Sequence, residues 1–399
     1  MLSLWYADGR DTPRTPPADV LRLAGYTGQE ECAITIGWTV ERLDWVNEPT
    51  FRATTMLAGY GLNKGVADGR IMTPPIRLSA VASRIRSNPP DVAVVSGVRR
   101  GDKLVFGQTV GWADALARTA KHVVVELAEA SVPGSDRNNQ STDNLLDGVD
   151  LGGPEIVGNI VATVARPAYA GAAPAASRPA DEIDLQIGRL VASILPEDPT
   201  LQFGPGGIGE GIVRSLTKPV GIWSGLVSDP MASLFDRDLL RGNVVAAYAW
   251  GGDPILRLAA AGRLELRPAT TVHEPAVLAE IPRFVGCNTA LQLGLDGSVN
   301  VERVGTRTIA GVGGHTDFCE GATRSNGGMA IISVRSTAAD GSSTIVPRVD
   351  VVSTARSSIG VVVTEHGIVD LRPLSDEQRR TALIGIAHPS HRQWLADNS

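Results

Sequence analysis

Short β-branched runs recur along this chain, and patterns of helical period separate them. Residues 91–97 (Asp-Val-Ala-Val-Val-Ser-Gly) read as a buried strand, residues 112–120 as a helix, and residues 122–127 (His-Val-Val-Val-Glu-Leu) as the next strand. Such alternation builds βα units and a mainly parallel sheet. The pattern breaks at residues 166–180, where small residues and prolines dominate as in an inter-domain linker. It then resumes. Ile183, Ile187, Leu190, Val191 and Ile194 fall on one helical face. Strands are expected at residues 200–203, 220–224, 244–248, 329–334 and 360–364. Ser375 with Gln378 forms a capping-box pattern that opens a helix to about residue 387. The expected fold is α/β: two open α/β domains with mainly parallel sheets, residues 1–178 and 181–399.

Charge and cysteine usage exclude several classes. A net charge of −6 leaves no basic face for nucleic acid. Cys32, Cys287 and Cys319 make no C-x-x-C pair, which argues against a disulfide framework and a structural zinc site. No His/Asp/Glu cluster has metal-ligand spacing, so no metal is expected. Residues 1–10 hold no apolar run of signal-peptide length, and no stretch reaches the roughly 18 apolar residues of a membrane span. A cytoplasmic protein without a membrane partner is expected.

The densest chemical signal is residues 311–328, where six glycines are interleaved with His315, Asp317, Glu320 and Ser325. Glycine allows close backbone approach and positive φ. Backbone N–H groups exposed in this way cradle phosphates or stabilise an oxyanion. The plainer alternative is a glycine-rich surface loop with no ligand. A second glycine turn, residues 204–207, follows the strand at 200–203. Neither turn carries the G-K-[ST] of a Walker loop or a convincing dinucleotide fingerprint, so ATP and NAD are not expected. A ligand that is part polyphosphate and part reactive group stays open.

These residues resemble a known family. Gly311-Val-Gly-Gly-His-Thr-Asp-Phe318, Gly321-Ala322, Gly327-Gly328 and Ser336-Thr337 look like the C-terminal signature of the acetyl-CoA hydrolase/CoA-transferase family, which includes the 4-hydroxybutyrate/acetate CoA transferases. Ile345-Val-Pro347, Val363-Thr-Glu-His-Gly-Ile368 and Ala382-Leu-Ile-Gly-Ile-Ala-His-Pro389 continue it. Leu201-Gln-Phe-Gly-Pro-Gly-Gly-Ile208 is similar to the opening of the family's second domain, and residues 91–96 and 120–126 match first-domain strands. The resemblance implies two open α/β domains with an acyl-CoA site between them. It also implies coenzyme A or acyl-CoA as substrate, no tightly bound cofactor, and a homodimer or larger homo-oligomer. In the family a glutamate attacks the thioester, giving an acyl–glutamyl anhydride and then a glutamyl–CoA thioester. The resemblance places Gly204, Gly206, Gly207, Gly311, Gly313 and Gly314 at the CoA ligand, with the N–H groups of Gly313 and Gly314 on the oxyanion. Asn288 matches a family Asn near the thioester; the alternative is a turn Asn that caps a strand.

The chain departs from that pattern at the nucleophile. The segment that carries the family glutamate reads Trp223-Ser-Gly-Leu-Val-Ser-Asp229, with Gly225 at the glutamate position. No acid occurs between Glu210 and Asp229. Where the family commonly has Gln and Arg, this chain has His315 and Glu320, both able to exchange protons. His315, oriented by Asp317, is a candidate general base on water; the alternative is drift in a site that has lost its chemistry. Hydrolysis of an acyl-CoA is therefore expected over glutamate-mediated transfer. Hydrolytic C–C ring opening of a cyclic CoA ester and non-catalytic acyl-CoA binding are the alternatives. Glu365 and His366 read as mainly structural, His388 as a helix-end cap, and His122 and His273 as surface or packing residues. Cys319 has no identified base partner for a nucleophilic role.

Overall fold

A computed structural model describes residues 1–128, 145–168 and 178–399. Residues 169–177 of the expected linker lie outside the described residues. The chain divides into two compact units. The first comprises residues 1–175, 226–229 and 244–272, and the second residues 176–225, 230–243 and 273–399. The first boundary falls where the sequence pattern breaks. Residues 244–272, assigned from the sequence to the second half, pack with the first unit.

The first unit is built on strands β1 (Leu2–Tyr6), β2 (Cys32–Ile36), β3 (Ala53–Thr55), β4 (Ile71–Met72), β5 (Val92–Arg100), β6 (Lys103–Val105), β7 (His122–Leu127) and β8 (Ile160–Ala165). Their order is β4-β3-β2-β1-β5-β7-β8, with β6 hairpinned onto β5. Every pair on the main path is parallel. Central β5 is buried from Val92 to Val98, as a strand covered on both faces requires. Edge strand β8 alternates between half-buried and exposed residues, the mark of one covered face.

The second unit contains β9 (Thr200–Phe203), β10 (Val220–Ser228) as far as Gly225, the start of β11 (Leu240–Trp250), β13 (Phe284–Asn288), β18 (Met329–Ser333), β20 (Val361–Thr364) and β21 (Gly367–Asp370). The rest of β11 pairs in parallel with β12 (Leu264–Leu266) inside the first unit. In the second unit the order β10-β9-β13-β18-β20-β21 is parallel until the terminal β20–β21 hairpin. A small sheet joins β14 (Gln292–Gly294), β15 (Val299–Asn300) and β19 (Ile345–Val346), and β16 (Arg303–Val304) pairs with β17 (Arg307–Thr308). The capping box forms as expected: Ser375 Oγ accepts from Gln378 N at 3.3 Å, and Ser375 N donates to Gln378 Oε1 at 2.9 Å. No helix among the described residues is long and apolar enough to cross a membrane.

One expected helical face is corrected. In helix Glu182–Ser193 the buried residues are Asp184, Ile187, Gly188 and Val191, whereas Ile183 is exposed. The buried side is set by a second helix, Gly207–Ser215, that approaches too closely for larger side chains. A Cβ on Gly188 would lie 2.2 Å from the backbone of Gly211.

The first unit buries a carboxyl just past the end of β1. Gly37 and Gly111 make room for Asp8: a Cβ on Gly37 would sit 2.3 Å from the Asp8 Cα, and one on Gly111 would sit 2.5 Å from Oδ2. The Tyr248 hydroxyl donates to Asp8 Oδ2, and Trp112 N donates to Oδ1 at 3.3 Å. Burial outweighs these donors and pushes the Asp8 carboxyl from 3.8 up to about 7. Between those two values the folded chain holds a proton that the unfolded chain has released. Asp8 therefore costs stability as pH rises from about 4 through 7. Asp8→Asn keeps an acceptor and loses the charge. Its melting temperature relative to wild type is expected to improve between pH 5 and pH 8, measured by thermal unfolding at both. An offset independent of pH would contradict this.

Candidate active site

The glycine-rich segment is a turn followed by a helix, and the chemistry-bearing residues sit on the helix. Gly313 has φ of +63°, the left-handed conformation that favours glycine. Gly314 then caps helix His315–Arg324, and Phe318 N donates to Gly314 O at 3.0 Å. The first N–H groups of the helix have no partner within it and carry the positive end of its dipole. Buried Asp317 lies in that first turn, where a negative charge complements the dipole.

His315, first in the helix, is 9% exposed. Its Nδ1 lies 2.8 Å from Thr354 Oγ1, which also pairs with Thr316 Oγ1 at 2.8 Å. Thr316 Oγ1 donates in turn to Ser353 O at 2.9 Å. The imidazole is thus oriented by a threonine hydroxyl. The sequence pointed to Asp317 for this role, but residues two apart on a helix do not share a face. Burial lowers the His315 pKa to about 4, against the smaller opposing effect of the Thr289 carbonyl. The ring is neutral at pH 7 and, because its conjugate acid is comparatively strong, is a poor proton acceptor there. Glu320 is half-buried, and its Oε1 lies 3.2 Å from Arg324 Nη1, one turn along.

Asn288 ends β13 and is buried. Its Oδ1 accepts from Gln202 Nε2 at 3.4 Å, and its Nδ2 contacts Cys319 Sγ at 3.6 Å. Gln202 belongs to β9, so the parallel register of β9 and β13 holds this pair. Asn288, Cys319 and His315 come together, since Cys319 Sγ lies 3.8 Å from His315 Nδ1. Burial pushes the Cys319 thiol up to about 12, which keeps it protonated at neutral pH. Glu365 takes both Ser336 N, at 3.0 Å, and Ser336 Oγ, at 2.5 Å, and so ties two loops together.

The turn at 204–207 is organised differently from the turn at 311–314. Gly206 has φ of +130° and caps helix Gly207–Ser215. The space over Gly207 is taken by a carboxylate of the chain itself: a Cβ there would lie 2.1 Å from Asp184 Oδ2. Asp184 is held by Arg178 Nη2 at 2.7 Å and Arg335 Nε at 3.1 Å. Gly204 and Gly206 face open space.

Gly225 lies in β10 against a residue that the sequence had left as packing. A Cβ on Gly225 would sit 2.7 Å from His273 Nε2, and one on Gly314 would sit 2.5 Å from His273 Cδ2 and 2.9 Å from Nε2. His273 is 2% exposed, and its ring lies tilted at 49° against that of Phe318 with centroids 4.9 Å apart. Histidine 273 carries no motif, and nothing in the sequence pairs Gly225 with Gly314; only the fold brings the three together.

A family model for the acetyl-CoA hydrolase/transferase C-terminal domain matches residues 257–399. The chain is 30% identical over 373 residues to the succinyl-CoA:acetate/propanoyl-CoA:succinate CoA transferase of Fasciola hepatica, across 87% of this chain and 74% of that protein. It is 26% identical over 397 residues to the acetyl-CoA hydrolase of Schizosaccharomyces pombe, across 85% of this chain and 73% of that protein. Its fold matches the crystal structure of RipA from Yersinia pestis with a TM-score of 0.78 at 22% identity, covering 99% of this chain and 92% of that one. The mainly parallel α/β sheets are those of CoA-transferase structures. The chain belongs to the acetyl-CoA hydrolase/CoA-transferase family, whose members carry the names of both transferases and hydrolases.

Proposed function

We propose that this chain acts on acyl-CoA thioesters, and that it hydrolyses them with water rather than transferring CoA through a glutamyl intermediate. The observation that carries this reading is the surroundings of Gly225. The resemblance puts the family's nucleophile at that position, and there the first side-chain atom would already meet His273 Nε2 at 2.7 Å. A carboxylate has neither an attachment point nor room.

Several features support thioester chemistry without it. The turn at Gly313 and Gly314 offers backbone N–H groups at a helix N-terminus, suited to the oxyanion of a tetrahedral intermediate. Neutral His315, first in that helix, and Asn288 beside it are hydrogen-bonding groups, each fixed by a neighbour. Asp317 serves the helix electrostatically, and Glu320 pairs with Arg324 on its outer side. In the proposed reaction a water oxygen bonds to the carbonyl carbon, the C–S bond breaks, and CoA leaves as the thiol.

The test is thiol release from a panel of acyl-CoAs, with acetate-dependent CoA exchange measured alongside. Thiol release without exchange is expected. Exchange at a rate comparable with hydrolysis would overturn the reading. So would a retained thioester with the mass gain of one water, which marks ring opening, or acyl-CoA binding with no turnover.

A further inference from the structure

We infer that His315 carries its proton on Nδ1 and that its bare Nε2 is the acceptor for the amide N–H of the pantetheine arm, the donor of an acyl-CoA that lies nearest the thioester. The inference rests on the acyl-CoA reading and makes His315 a positioning residue.

Counting protons along the hydroxyl relay fixes the tautomer. Thr316 Oγ1 donates to Ser353 O at 2.9 Å. A carbonyl has no proton to give, so this bond takes the one proton of the Thr316 hydroxyl. Thr316 Oγ1 and Thr354 Oγ1 are 2.8 Å apart, and the proton between them is therefore that of Thr354. Thr354 Oγ1 is then left as the acceptor toward His315 Nδ1, 2.8 Å away, and the proton there belongs to the imidazole. The relay is shut off from water: Thr354 is fully buried and Thr316 is 2% exposed. The backbone holds its far end. Ser353 N and Thr354 N donate to Val299 O at 2.8 Å and 3.1 Å, and Val299 N donates to Thr354 O at 3.0 Å. A neutral imidazole has a single ring proton, so Nε2 has none.

Nε2 is buried and has no hydrogen-bond partner among the described residues. The Thr289 carbonyl acts on the ring as well, but it is another acceptor and cannot satisfy a bare nitrogen. Cys319 Sγ approaches the other nitrogen, 3.8 Å from Nδ1. A buried acceptor without a donor is costly, and a ligand can bring the donor. The residue is not sealed, since Gly313 and Gly314 directly before it are only half-buried. Thioester hydrolysis offers two donors, the attacking water and the amide of the arm. Water must surrender a proton, whereas the amide keeps its own throughout. An imidazole whose pKa burial lowers to about 4 holds a donor without deprotonating it, which suits the amide. A single ethylene link separates that amide from the thioester sulfur. An acyl group whose oxyanion sits at Gly313 and Gly314 therefore brings the amide close to the next residue in the chain.

The experiment has two parts. Nitrogen NMR of histidine-labelled protein at pH 7, with His315→Phe to assign the signal, is expected to show Nδ1 protonated and Nε2 bare. Thr354→Val is expected to move the proton to Nε2, and Thr354→Ser to leave it on Nδ1. A proton on Nε2 in wild type overturns the inference. The second part compares an acyl thioester of N-acetylcysteamine with its N-methyl derivative, which lacks the N–H, by thiol release and by binding. Wild type and Thr354→Ser are expected to favour the N–H compound by about 10-fold in kcat/KM, through KM rather than kcat. His315→Phe and Thr354→Val are expected to lose that preference. Equal treatment of the two compounds by wild type overturns the amide contact and leaves the hydrolytic reading intact. Binding with the 10-fold preference but no thiol release overturns hydrolysis and leaves the contact standing. No binding of either compound, or of any acyl-CoA, overturns both.

Discussion

Gly225→Glu, made alone, is expected to lower stability and to give no CoA exchange. The first added atom lies 2.7 Å from His273 Nε2 and 3.4 Å from Phe318 Cε2, and a buried imidazole wedged on a second glycine cannot give way freely. Overpacking of this kind costs about 1–3 kcal/mol, and a carboxylate with nowhere to go adds to it. Gly225→Ala isolates the steric part, since it adds only the Cβ. Removing the ring should relieve both variants. Gly225→Ala and His273→Gly, combined, are expected to be less destabilising than the sum of the two, with a coupling of about 1–2 kcal/mol in denaturant unfolding. Acetate-dependent exchange, if a glutamate at 225 can support it, should then appear in the Gly225→Glu/His273→Gly double variant and not in Gly225→Glu. Additive effects on stability would show that 225 and 273 do not compete for one space.

The strands were legible because their apolar runs are continuous. β7 and β9 fall where the β-branched patterns lie, β10 runs on past its expected stop, and β5 does so because its end pairs with β6. Helix Glu182–Ser193 was legible as a helix but not in its facing. Its buried side is selected by Gly188 and Asp184 against Gly211 and Gly207, residues that a hydrophobic pattern counts as neutral or polar. The glycine turn at 311–314 was legible as a turn, and as a candidate site, because glycines and a histidine follow each other in sequence. Its details were not. His315 meets Thr354 across 39 positions, and His273 meets Gly225 across 48 and Gly314 across 41. A lone histidine between two short helices gives no signal of such a meeting. Two glycines far apart do not announce that both are empty for the same ring.

Gly188→Ala is expected to be the most damaging single-methyl substitution in the second unit, although it raises helix propensity. An alanine in a helix interior is worth about 1 kcal/mol over glycine when it meets nothing. Here the new Cβ would lie 2.2 Å from both the carbonyl carbon and oxygen of Gly211 and 2.7 Å from Ile212 N. All three are backbone atoms of the facing helix, so no side chain can rotate out of the way. The approach is equally tight from the other direction, since a Cβ on Gly211 would lie 2.3 Å from Asp184 O. The two helices must therefore separate along this contact. That movement also draws Asp184 away from Gly207, disturbing the carboxylate that Arg178 and Arg335 hold. A loss of about 3 kcal/mol is expected, at the upper end for overpacking because the clash is with backbone. The control is Gly385→Ala in helix Asp376–Ile386, where a Cβ meets nothing within 4 Å. That substitution is expected to stabilise by about 0.5–1 kcal/mol. Urea unfolding of the two variants should move the midpoint in opposite directions. Equal or same-signed shifts would mean that propensity, not helix contact, governs position 188.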